Sequence, residues 1–261
     1  VQWQGTNLLT LPERKLNAVR GREIATIFQE PMAALNPVLT VGEQIRENLR
    51  THTRLDKAAC NRRAIELLEH LGIPGAQSRV NDYPHQFSGG MRQRAMIAIA
   101  LAAGPKLLLA DEPTTALDVT IQDQILNLIL RLKDEFGMSV LLVTHDLGVV
   151  AQTCDRVAVM YAGRIVEEAP VATLFRAPRH AYTRGLLDSV PTAGQARRPL
   201  RPIPGAPPQP EARSSGCAFA PRCGYVIARC HDLPPPLLDV AAGHQSACLR
   251  HDAIPASTGS S

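Results

Sequence analysis

A Ser-Gly-Gly turn that opens an apolar helix, followed closely by a buried strand ending in two adjacent acids, constrains this chain more than any other feature. The turn lies in Phe87-Ser88-Gly89-Gly90-Met91-Arg92-Gln93-Arg94, and the strand in Leu107-Leu108-Leu109-Ala110-Asp111-Glu112-Pro113. Ser88 is a good helix N-cap, and residues 91–103 continue as an almost wholly apolar helix. Consecutive backbone N–H groups and the positive end of that helix converge into an anion site suited to a phosphate. Paired carboxylates at the carboxyl end of a buried strand sit where α/β sheets bind ligands. Asp111 is placed to hold a magnesium ion, and Glu112 to orient or deprotonate a water. Phosphoryl transfer needs charge neutralisation and a positioned water more than covalent chemistry.

The remaining pattern frames this pair. Residues 1–30 read as a hairpin or loop, a short helix over 12–19 and a strand over 23–28. Helical spacing returns over 41–72 (Ile45, Leu49, Ile65, Leu68, Leu71), and a polar stretch over 75–85 separates it from Ser88. Residues 121–136 place Ile121, Ile125, Leu128, Ile129, Leu132 and Phe136 on one helical face, stopped by Gly137. A strand over 139–143 runs into Thr144-His145-Asp146, and residues 156–161 and 164–167 read as a hairpin. Alternating helices and buried strands imply an α/β layered sheet. Composition changes after about residue 168; residues 191–213 read as an extended Pro- and Arg-rich linker, and four cysteines follow. No internal repeat is found.

With Gln29 at a strand end, Asp118 after Ala116-Leu117, and His145 one strand later, the ordered set resembles the Walker B, signature and switch motifs of ATP-binding cassette (ABC) ATPases. The resemblance implies a P-loop NTPase (RecA-like) nucleotide-binding domain with a helical subdomain at about 42–88. It makes Gln29 a contact to magnesium or the attacking water, and the start of the loop that senses a membrane partner. Glu112 becomes the catalytic base and His145 the contact to the γ-phosphate. Ser88, Gly89, Gly90 and Met91 face an ATP held by the opposite subunit, and Asp118 belongs to the loop linking the two sites of a head-to-tail dimer. Taken alone, Asp118 is a helix N-cap. The phosphate-cradling run Gly-x-x-x-x-Gly-Lys-Ser/Thr does not occur in these 261 residues. In ABC ATPases it lies before the Gln29 loop, so the expectation is a fragment of a longer polypeptide that binds ATP poorly alone.

Phe28-Gln29-Glu30-Pro31-Met32, Leu35-Asn36-Pro37-Val38 and Met91 narrow the resemblance to the ATPase subunits of oligopeptide/dipeptide (peptide/nickel) importers. So do His180-Ala181-Tyr182-Thr183-Arg184-Gly185 and Gly216-Cys217-Ala218-Phe219-Ala220-Pro221-Arg222-Cys223. The expected division is an ABC domain over 1–168 and an irregular, Cys-containing importer-type extension over 169–261. Implied partners are a second ABC subunit, homologous or identical, two membrane-spanning permease subunits and, indirectly, an extracytoplasmic solute-binding protein. ATP and Mg2+ are the implied ligands, and the cytoplasmic face of the membrane is the implied location. Two other readings stand beside this one: a partner subunit that donates only the Ser88 turn, and an ABC ATPase outside transport.

Cys217, Cys223, Cys230 and Cys248 suit a staple for a small Pro-rich segment. Four cysteine ligands serve zinc or an iron–sulfur cluster, with disulfides as the rival. The spacing lacks the Cys-x2-Cys pairs of common zinc ribbons, and the family resemblance implies a [4Fe–4S] cluster. The net charge of +4 is mild and the arginines are scattered, so no nucleic-acid partner is expected.

Overall fold

The computed structural model describes residues 1–115, 117–190, 202–209 and 215–256. Ala116 and residues 191–201 and 210–213 of the expected linker lie outside the described residues. The chain divides into two compact units, Val1–His145 and Asp146–Ser261.

The first unit begins with the hairpin β1 (Gln2–Trp3) and β2 (Thr6–Asn7), then α1 (Glu13–Val19) and β3 (Ile24–Ile27). Next come α2 (Pro31–Ala34), α3 (Val41–His52), α4 (Lys57–His70) and α5 (Ala76–Arg79). The unit is completed by α6 (Gly89–Leu101), β4 (Leu107–Asp111), α7 (Val119–Phe136) and β5 (Ser139–Val143). Strands β3, β4 and β5 form a parallel sheet in that order, in which Ile27 pairs with Ala110 and Asp111 with Val143.

Each helix forms for a readable reason. Thr40 caps α3 by accepting from Glu43 N at 3.2 Å, and Ile45 and Leu49 turn to the core. Helix α6 buries Ala95, Met96, Ile97, Ala98 and Leu101 around much of its circumference, which is why its sequence shows no polar stripe. Helix α7 is amphipathic, burying Ile125, Leu128, Ile129 and Leu132, and ends at Gly137 in the left-handed conformation (φ 61°). Gln44, buried on α3, ties down the loop after Gln29: its amide nitrogen donates to Asn36 O at 3.1 Å and its carbonyl accepts from Asn36 N at 2.9 Å.

The second unit contains α8 (Leu147–Thr153), β6 (Arg156–Tyr161), β7 (Arg164–Pro170), α9 (Val171–Arg176), α10 (Ala181–Asp188), β8 (Leu238–Ala241) and β9 (His244–Ser246). Its sheet is antiparallel in the order β6–β7–β9–β8. Ala162 and Gly163 both take positive φ (49° and 77°), as a two-residue hairpin turn requires. The composition shift lies near residue 168, whereas the unit begins at Asp146, because β7 pairs with β9 and one core joins Val159, Tyr161 and Leu174 to Phe219 and Ile254. Strands β8 and β9 are absent from the sequence reading. Both are short and β9 is polar throughout, so their strand character comes from pairing rather than propensity.

Candidate nucleotide-hydrolysis site

Strand β4 delivers both acids. Asp111 is its last residue and is exposed, and its carboxylate makes no hydrogen bond or ion pair among the described residues. Glu112 follows in the left-handed region (φ 43°), while its N–H still bonds Val143 O at 2.9 Å. A non-glycine residue held there stores roughly 1–2 kcal/mol of backbone strain. Such strain collects where a side chain must be aimed, and three donors meet this one.

Gln29 Nε2 donates to Glu112 Oε2 at 3.0 Å, and Thr115 Oγ donates to the same oxygen at 2.7 Å. His145 Nδ1 lies 2.9 Å from Oε1 and donates, since an ionised carboxylate only accepts. The His145 contact, then the Thr115 hydroxyl, hold the Glu112 carboxyl below the usual carboxylate range. Residues 29, 112 and 145 are far apart in the chain, and the parallel order β3–β4–β5 puts their strand ends side by side. Thr115 was not singled out from the sequence; its place three residues after the second acid was the available signal.

Two oxygen donors remain. Gln29 uses its amide nitrogen on Glu112, so its carbonyl oxygen, together with the Asp111 carboxylate, supplies the hard oxygen donors that Mg2+ takes.

The Ser88 turn stands apart from these hydrogen bonds. Ser88 caps α6, its Oγ accepting from Met91 N at 3.4 Å, and Ser88 and Gly89 are exposed. A Cβ added at Gly90 would lie 3.2 Å from Ile121 Cγ2, so the turn closes against the start of α7. There Asp118 caps the helix through Ile121 N at 3.0 Å. One buried residue links the two regions: Gln93 Nε2 donates to Pro113 O at 2.6 Å. A polar residue in an otherwise apolar helix was its sequence signal.

In the second unit, Cys217, Cys223, Cys230 and Cys248 line one cavity of about 20 Å3. All are free thiols, and Cys217 N donates to Cys230 O at 2.8 Å. Burial pushes the thiols of Cys217 and Cys223 up, and that of Cys248 up to about 11. Among the described residues, no three His, Cys, Asp or Glu side chains are placed to hold a single metal ion.

Two further buried groups lie beside this cavity. Glu167, fully buried on β7, accepts from His180 N at 3.0 Å, from Arg179 N, and from His244 Nε2 at 2.7 Å. His180 caps α10 by accepting from Tyr182 N at 3.1 Å, and desolvation lowers its pKa to about 4. Because its folded pKa lies below the ordinary 6.5, stability is fully present above pH 6.5 and falls as pH drops toward 4. The loss amounts to about 3 kcal/mol by linkage. Urea unfolding of the second unit's transition between pH 7.5 and 4 should show this slope, and His180→Asn should flatten it. Equal slopes in the two proteins would sink the assignment.

Residues 1–115 match the ABC transporter family, and residues 166–230 match the C-terminal region of oligopeptide/dipeptide transporters. A probable peptide ABC transporter ATP-binding protein of Sinorhizobium fredii is 52% identical over 255 residues, which span 97% of this chain and 76% of that protein. A putative peptide import ATP-binding protein of Brucella melitensis is 52% identical over 259 residues, covering 97% and 77%. Among solved structures, a dimeric ATP-binding cassette in a post-hydrolysis state bound to ADP and Pi superimposes with a TM-score of 0.58 at 31% identity, covering 65% of this chain and 72% of that one. The fold is thus that of the P-loop NTPase cassettes, reached from the strand order and the acids on β4. With the motifs in family order and relatives at this identity, the chain belongs to the ATP-binding subunits of ABC transporters, in the branch that carries the oligopeptide/dipeptide-type C-terminal region.

Proposed function

We propose that this chain hydrolyses ATP to energise import of peptides or related solutes, with Glu112 as the base that takes a proton from the attacking water. The observation that carries the reading is the convergence of Gln29, Thr115 and His145 on that one carboxylate. Three donors keep Glu112 ionised and therefore able to accept a proton, and they take three of its roughly four lone-pair sites. The site left on Oε1 is the one that can accept the proton of the attacking water. Gln29 and His145 are the members whose partners can change to magnesium and to the γ-phosphate. Asp111 and the Gln29 carbonyl hold Mg2+, which neutralises charge on the phosphates when bound.

The Ser88-Gly89-Gly90 turn, exposed at Ser88 and Gly89 and with Met91 behind it, completes the ATP site of a second ABC subunit in a head-to-tail dimer, and Asp118 lies at the link between the two sites. Two permease subunits receive the motion through the loop after Gln29, and a solute-binding protein outside the membrane delivers the cargo. No helix among the described residues is long and apolar enough to cross a membrane, which agrees with a subunit peripheral to its cytoplasmic face. Nothing in the reading calls for nucleic acid.

The reading is tested in proteoliposomes holding the assembled transporter, by following ATP turnover and uptake of a labelled oligopeptide. Ser88→Arg places a bulky cation in the turn and should lower both at least about tenfold, a loss of roughly 1.4 kcal/mol or more in transition-state stabilisation. The fold should survive, because only one exposed cap bond is lost. Unchanged turnover and uptake would overturn the role of the turn.

The second unit's four cysteines are proposed to hold a [4Fe–4S] cluster. The support is that all four line one cavity and that four thiolates are the usual ligand set of such a cluster. Anaerobically purified protein should contain iron and labile sulfide and absorb visible light through thiolate-to-iron charge transfer. Stoichiometric zinc, or no metal at all, would refute it.

A further inference from the structure

A larger cavity, of about 320 Å3, lies wholly within the second unit and plays no part in the chemistry above. It is at the lower end of the size range of small-molecule sites. Its walls are mainly apolar: Ile165 and Val166 from β7, Phe219, and the prolines 208, 234 and 235. His180, Cys217, Phe219 and Pro235 separate it from the cysteine cavity, since they line both.

His180 brings to this lining a polar group that is both buried and unused. His180 is 1% exposed. Its Nδ1 accepts from Tyr182 N, so the neutral ring carries its proton on Nε2. That Nε2–H has no hydrogen-bond partner among the described residues, nor is it among the polar atoms sealed off inside the packing. A buried donor left unmade is costly, and one that borders open space marks where an acceptor belongs. Arg164 also lines the cavity, but its side chain is exposed and stays in water. The interior therefore offers no countercharge, and an ionised ligand would be desolvated without compensation.

We propose that this cavity binds a small uncharged molecule with a compact aromatic or branched aliphatic body and one carbonyl oxygen, which accepts the Nε2–H of His180. The body packs against Phe219, Val166 and the prolines, where its shape is selected. The His180 donor fixes its orientation. This site stands independently of the nucleotide chemistry, because every residue of it belongs to the second unit.

The test is ligand-observed NMR on the full chain with phenylacetamide, its acceptor-free counterpart ethylbenzene and the charged phenylacetate. Phenylacetamide should show saturable binding and protect the His180 Nε2–H from exchange. His180→Asn keeps an acceptor for Tyr182 N but ends its side chain one bond short of Nε2, pulling the remaining N–H back from the cavity, and should weaken phenylacetamide about tenfold while leaving ethylbenzene unchanged. Ala218→Leu fills the space and should abolish binding of both, with the melting transition monitored to show that each variant is folded. The proposal is overturned if wild-type protein does not bind phenylacetamide, if phenylacetate binds more tightly, or if neither folded variant alters binding.

Discussion

Glu112→Gln is expected to lower ATP turnover of the assembled transporter by about 10²- to 10⁴-fold, the usual contribution of a positioned general base. The substitution keeps the side-chain shape and an oxygen that accepts the Thr115 hydroxyl, so the fold of the β4 end should be retained. It removes the negative charge that attracts the His145 Nδ1–H, and with it the capacity to take a proton from water. ATP-dependent closure of the dimer should persist, and cross-linking across the dimer in the presence of ATP measures it separately from hydrolysis. A result with turnover unchanged would assign hydrolysis to the partner subunit and leave this chain as donor of the Ser88 turn alone.

The second large effect is one of stability. Glu167 is a fully buried carboxylate that, among the described residues, takes one side-chain hydrogen bond, from His244, itself 2% exposed in its side chain. His244→Phe leaves that charge facing only the backbone N–H groups of Arg179 and His180. Breaking a buried pair from one side costs about 3–5 kcal/mol. For a unit of this size that lowers the melting temperature by on the order of 10 °C or more. His244→Gln retains a donor and should be destabilised less. Calorimetry that finds His244→Phe within about 1 kcal/mol of the original would show that the carboxylate is stabilised chiefly by the α10 backbone amides.

Much of the nucleotide site is legible in the sequence because its parts are local. Ser88 announces a helix start, residues 106–110 read as a strand by their apolar run, and the acids at its end need only that strand to be positioned. Gly137 stops α7 because a left-handed residue is wanted there. Asp118 reads as a cap, and caps α7. The second unit is less legible. His180 and His244 each read as ordinary tail residues, and Glu167 as one acid in a hairpin. Their pairing depends on β9 lying against β7, across a span that no local propensity specifies.

By itself the sequence determined the family, the order of strands and helices around the acids, and the residue types that chemistry on a phosphate requires. All of these follow from neighbours within a few positions, where periodicity, capping and turn chemistry act. Only the tertiary structure decided that Gln29, Thr115 and His145 share one carboxylate, that β6 to β9 form one sheet, and that His180 presents an unused donor to a cavity. Those outcomes rest on contacts between distant parts of the chain. The free energy of such contacts comes from burial and pairing rather than from local preference.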